Sequence, residues 1–117
     1  MVAVSEGIAL GEKLGIDPKK LSEILSVSTA SCWCTNATNP RPDAVEGSPA
    51  NRNYEGGFQT GLIRKDLTLA LELGEAVDQD LTFADKAMNE FLELEKKGHG
   101  GKDFGYVFQY IFKNRKM

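Results

Sequence analysis

Metal-binding residues are scarce in this sequence, with one histidine, His99, and two cysteines, Cys32 and Cys34. A structural zinc site takes four Cys or His ligands. Cys32 and Cys34 flank a single residue, a loop too short for easy disulfide geometry, so they read as packed thiols in a reduced chain. Neither GxGxxG nor a P-loop occurs, which denies the chain a phosphate cradle of its own. No apolar run approaches the ~20 residues that span a bilayer, and no basic start with an apolar stretch marks a secretory leader. Cationic excess is also missing. A net charge of −3 argues against nucleic-acid and anionic-membrane partners. His99 stands in Gly98-His99-Gly100-Gly101 and reads as a solvated turn, and nothing groups it with Ser and Asp as a triad. Asn36-Ala37-Thr38 matches a glycosylation sequon, taken as chance without a leader.

What is present suits one helical domain with a modest core: 117 residues, 41% hydrophobic. Met1 to Leu14 reads as a helix closed by Gly15, and Asp17-Pro18 supplies the cap and first position of the next. The first helix opens on apolar MVAV with no capping residue, which implies a helix that starts further upstream. Ala3, Gly7 and Gly11 form a possible close-packing stripe; the alternative is two glycines merely tolerated, each costing ~1 kcal/mol against alanine. From Thr35 to Gly57 three prolines and three glycines exclude regular structure. Such a loop either is functional and wraps something or is disordered; Val45, Tyr54 and Phe58 are apolar anchors against disorder.

Helical period returns at Thr60, a possible cap, and runs to Val77. At ~100° per residue, Leu62, Leu69, Ala70, Leu73 and Val77 share a face that holds Asp66 at its middle and Lys65 at its edge. A carboxylate on a core face is costly unless paired. Ala84, Ala87, Met88, Phe91 and Leu92 line a further helix ended by Gly98. Asp103 can cap the last, whose face is Phe104, Val107, Phe108, Ile111 and Phe112, followed by a basic tail, Lys113 to Lys116. No strand signal or internal repeat occurs. The fold class is all-α, with about five helices.

Trp33, Phe58, Lys65 and Asp66 are the unusual residues. Together they read as an aromatic-walled pocket with one cation, suited to a small carboxylate or a phosphate-bearing cofactor. On the residues alone, the alternative with both rings in the core and a local Lys65–Asp66 ion pair is slightly the better of the two.

The segments LGIDP, SVSTASCWCTNATNPRP, SPANRNYEGGFQTGLIRKDLTLALELG and KDFGYVFQ resemble the 3-hydroxyisobutyrate dehydrogenases of the β-hydroxyacid dehydrogenase family, over Met1 to about Gln109. The resemblance implies a two-domain enzyme like 6-phosphogluconate dehydrogenase. Residues 1–117 would be its C-terminal helical domain, for substrate and for dimer or tetramer formation, and an N-terminal Rossmann domain would bind NAD. It implies oxidation of 3-hydroxyisobutyrate to methylmalonate semialdehyde in valine breakdown, mitochondrial in eukaryotes and cytoplasmic elsewhere. The family's catalytic lysine and its neighbouring asparagine fall upstream of Met1, so no catalytic residue is expected in this chain, nor activity from it alone. Lys65 matches the lysine that approaches the nicotinamide end of the cofactor. Trp33 and Phe58 match aromatic positions of the substrate pocket, and Asp66 supports the motif. Glu72 stands where the family commonly has aspartate, and Asp80 where it often has proline. Two other readings remain: a sister dehydrogenase for another small 3-hydroxy acid, such as a tartronate semialdehyde or glyoxylate reductase, and a non-catalytic helical oligomerisation module.

Overall fold

Local chemistry sets the first helix boundaries. α1 (Val2–Lys13) ends where Gly15 takes φ +86°, and the N–H groups of Gly15 and Ile16 donate back to the Glu12 and Gly11 carbonyls, both at 3.0 Å. This double closure uses the left-handed conformation that glycine adopts without penalty. α2 (Pro18–Ser26) starts on Asp17, whose carboxylate accepts from the Lys20 N–H at 2.9 Å. The computed structural model describes residues 1–114. The remaining α-helices are α3 (Trp33–Asn36), α4 (Thr60–Ala76), α5 (Thr82–Leu94) and α6 (Val107–Asn114). Short 3-10 turns span Pro49–Arg52 and Phe104–Tyr106, and a π turn, Glu95–His99, prolongs α5. No strand occurs among the described residues; one antiparallel bridge joins Gln59 to Asp103. The elements beyond the five expected are short: local caps set α3 and the two 3-10 turns, and the π turn only prolongs α5, so none leaves a periodic signal.

α4 packs on α5, while α1 packs on α2 and α6. Ile8, Phe91, Leu94, Phe104, Val107, Phe108 and Ile111 form the core between them. The α4 face expected to be buried is the outer one: Leu62 is 43%, Leu69 50%, Leu73 69% and Val77 72% exposed. α4 instead turns Thr60, Ile63, Leu67, Leu71 and Gly74 inward. Helical spacing permits both stripes. Gly74 decides between them, because a Cβ there would lie 2.7 Å from the Gln79 carbonyl oxygen and 3.0 Å from Leu81 Cδ1. The chain can therefore turn tightly back toward α5 only on that side. Of the small-residue stripe, only Gly11 is a close approach, where a Cβ would clash with Leu21 Cδ2; Gly7 faces open space.

The Thr35–Gly57 segment is ordered by side chains. Asn39 is fully buried and donates to Ser22 Oγ and the Thr35 carbonyl, both at 3.2 Å; it accepts from the Arg41 N–H at 3.0 Å. Ser48 Oγ donates to the Asn39 carbonyl at 2.6 Å, and Tyr54 OH donates to the Pro40 carbonyl at 2.7 Å. Arg41 grips Glu12 of α1 through two nitrogens, at 2.9 and 3.0 Å. Buried polar groups satisfied in this way fix a non-periodic chain. His99 ends the π turn and is half-buried rather than fully solvated, with its ring 4.4 Å from that of Tyr106. Of the expected basic tail, Lys113 lies in the last turn of α6, while Arg115 and Lys116 lie outside the described residues.

Candidate functional site

Trp33 opens α3 on a reciprocal cap, in which the Cys32 N–H donates to Thr35 Oγ1 at 2.9 Å and the Cys32 thiol faces the Thr35 backbone. This anchors a short helix whose first side chain stays 61% exposed. The Trp33 ring stacks on Phe104, with centroids 6.2 Å apart and planes 22° apart. Phe58 meets the same Phe104 edge-on at 5.6 Å and 82°. Phe91 completes the group at 6.5 Å. Sequence reasoning placed Phe104 in a core stripe. The structure makes it the hub that joins the two aromatic residues named from sequence.

The backbone beneath this cluster is tied across a long sequence separation. Asp103 is 1% exposed. One carboxylate oxygen accepts from the Phe58 N–H and the other from the Gly105 N–H, both at 2.9 Å. The Phe104 N–H donates to the Phe58 carbonyl at 2.7 Å. Gly57 makes room for this: its φ is +71°, and a Cβ would strike the Asp103 carboxylate and come within 2.8 Å of Pro49 Cγ. Burial pushes the Asp103 carboxyl above its usual range, against the two backbone donors that lower it.

Lys65 and Asp66 lie one turn into α4. Lys65 Nζ is 3.0 Å from Asp66 Oδ1, and both side chains are about half exposed, at 55% and 49%. Adjacent helical residues do not face each other, and exposed pairs contribute roughly 0–1 kcal/mol. The ammonium can thus leave Asp66 for an anionic ligand at little cost. Arg64 beside it is committed elsewhere, with Nε 2.6 Å from Glu95 Oε2. Separately, α1, α4 and α5 bound an open apolar cleft of about 820 Å³, lined in part by Val2, Ile63, Leu67, Phe83, Phe91 and Phe104. Trp33, Phe58, Lys65 and Asp66 are not among its lining residues. Phe91 and Phe104 are common to cleft and ring cluster.

A family model described as "NAD-binding of NADP-dependent 3-hydroxyisobutyrate dehydrogenase" matches residues 1–111. The probable mitochondrial 3-hydroxyisobutyrate dehydrogenase of Dictyostelium discoideum is 43% identical over 99% of this chain and 36% of its own length. The mitochondrial 3-hydroxyisobutyrate dehydrogenase of Bos taurus is 37% identical over 95% of this chain and 33% of its own. Among solved structures, a Mycobacterium tuberculosis 3-hydroxyisobutyrate dehydrogenase described with L-serine superposes with a TM-score of 0.89 at 30% identity, over 94% of this chain and 38% of that one. The chain thus spans about a third of the length of the curated relatives it matches.

The family description corrects the expected fold class, in which this chain was the C-terminal helical domain set apart from a cofactor-binding one. The matched segment is classed with NAD binding. The expectation followed from the resemblance, which assigned all cofactor binding to the other domain; the missing glycine-rich motif reports only on the pyrophosphate cradle. A surface that meets another part of a dinucleotide needs no such motif.

Proposed function

Since the chain belongs to the NAD-binding family of 3-hydroxyisobutyrate dehydrogenases, we propose that it supplies one wall of a site where a small 3-hydroxy acid is oxidised, 3-hydroxyisobutyrate to methylmalonate semialdehyde, as in valine breakdown. The observations that carry this reading are an aromatic cluster, Phe58 and the exposed Trp33 joined through the buried Phe104, and, on α4, a weakly held cation, Lys65. The rings fit the apolar body of a small branched acid or the face of a nicotinamide, and the ammonium fits a carboxylate or phosphate oxygen.

NAD, when bound, supplies the hydride acceptor. The residues present fit one end of that cofactor only, for the described residues offer rings and a cation and no glycine-rich phosphate cradle. Lys65 orients the bound anion and offsets its charge. Trp33 and Phe58 exclude water from the carbinol carbon. Asp66 is the partner of the Lys65 ammonium while no anion is bound. The base that takes the hydroxyl proton, and the phosphate cradle, we place outside these 117 residues, in the remainder of a family-length protein. On this reading the chain alone does not turn over.

A second substrate reading has its own support. The Mycobacterium relative is described with L-serine, itself a 3-hydroxy acid. Ranking kcat/KM for 3-hydroxyisobutyrate, L-serine and tartronate semialdehyde separates the two. The relatives named mitochondrial are eukaryotic proteins, so we extend that compartment only to a eukaryotic carrier of this chain. We also propose self-association, supported by the exposed apolar side chains on the outer face of α4; sedimentation as a monomer would reject it. The main reading is tested by Lys65→Ala in the family-length protein. KM for cofactor or acid rises and kcat falls, and wild-type kinetics would remove Lys65 from the site.

A further inference from the structure

The KDFGYVFQ segment, a cap and core stripe by its sequence pattern, meets the proposed site at two levels. Phe104 is the ring on which both Trp33 and Phe58 rest. Asp103 spans the backbone beneath them, holding the Phe58 N–H with one oxygen and the Gly105 N–H with the other. The Asp103 N–H in turn donates to the Tyr54 carbonyl at 2.8 Å. A helix cap needs only the Gly105 bond. The bond to Phe58 does nothing for the cap; it joins residues 45 positions apart in sequence. Glycine at position 57 leaves the space this second bond requires.

We propose that Asp103 is a positioning residue and Phe104 a wall residue of the hydroxy-acid pocket: the Asp103 carboxylate sets where Phe58 stands, and Phe104 sets the tilt of Trp33. The proposal rests on the pocket reading above and adds two residues to it. Phe58, whose backbone the carboxylate holds, and Trp33, which rests on the neighbouring Phe104, form with that ring a preorganised wall for a small, mostly apolar acid. Positional error in such a wall is expensive, since ~1 Å of misplacement costs about a hundredfold in rate.

Asp103→Asn keeps the size of the side chain but turns one acceptor into a donor. Whichever way the amide lies, either the Phe58 or the Gly105 N–H then faces an N–H group. Two readouts are taken in the family-length protein, well below the melting temperature. One is the near-ultraviolet circular dichroism of Trp33, obtained by difference against Trp33→Phe; the other is kcat/KM for 3-hydroxyisobutyrate. Asp103→Asn is expected to weaken the Trp33 band and to lower kcat/KM by about 10- to 100-fold. Phe104→Leu, which keeps apolar volume but removes the ring, is expected to do the same. A purely structural Asp103 would lower the melting temperature and leave both readouts unmoved, and that result overturns the inference. Should Asp103→Asn fail to fold, Phe104→Leu decides, and unchanged kcat/KM in it is equally fatal. Trp33→Phe and Phe58→Leu separate the two levels. If they too leave kinetics unchanged, the pocket reading itself falls. If they impair kinetics while Asp103→Asn and Phe104→Leu do not, only the positioning role falls.

Discussion

Tyr54 ties the proline-rich segment to the body of the fold, and Tyr54→Phe removes that tie while keeping the ring. The phenol is 2% exposed, donates to the Pro40 carbonyl at 2.7 Å and accepts from Gln109 Nε2 at 3.0 Å. Losing the hydroxyl leaves a buried carbonyl unsatisfied, which costs roughly 1–3 kcal/mol near neutral pH. The same hydroxyl has an alkaline signature. Burial, partly opposed by the Gln109 hydrogen bond and the Arg41 charge, pushes its pKa up from 10.0 to about 12. The folded value is raised, so the stabilisation is complete below the unfolded value and is lost as pH climbs from 10 towards about 12. By pH 11 the wild type has given up roughly 1 kcal/mol that Tyr54→Phe never had. Urea unfolding of both proteins between pH 8 and 11 reads the difference directly. The stability gap should narrow steadily above pH 10. A gap that stays constant would show that the Tyr54 proton is not linked to folding.

Other outcomes follow from named contacts. A double-mutant cycle on Glu12 and Arg41, partly buried and doubly bonded, should give a coupling of about 1–2 kcal/mol by urea unfolding, and a value near zero would make the pair ornamental. Gly57→Ala places a Cβ against the Asp103 carboxylate and Pro49 at a left-handed φ; calorimetry should show a loss of more than about 2 kcal/mol. Gly7→Ala, in open space within α1, should instead gain about 0.5–1 kcal/mol. If Gly7→Ala lowers the melting temperature, the packing of α1 is misassigned.

The helices of this chain were readable wherever a cap wrote itself into the sequence. Gly15 and Asp17-Pro18 mark their boundaries because left-handed glycine and an N-cap carboxylate act over four residues. The inward face of α4 was not readable. Two apolar stripes coexist there, and the choice between them depends on how closely residues 79–81 return past Gly74. The order of the Thr35–Gly57 segment was hidden for a related reason, since Asn39, Ser48 and Tyr54 act through bonds to partners up to 55 residues away. Trp33, Phe58 and Lys65 could be named in advance from the resemblance. The contact of Phe104 with both rings could not be, because a phenylalanine in an amphipathic helix pattern looks the same whether it fills a core or joins two other rings. Its aspartate neighbour was the available signal: a residue offering more acceptor capacity than its cap needs.

Substrate contact at Trp33 is the most direct test. Trp33 emission in the family-length protein, taken by difference against Trp33→Phe, is followed while 3-hydroxyisobutyrate is added in the presence of NAD. A saturable change with its midpoint near KM, diminished in Lys65→Ala, is the result expected. Emission that stays flat through saturating turnover would place the substrate elsewhere and contradict the account.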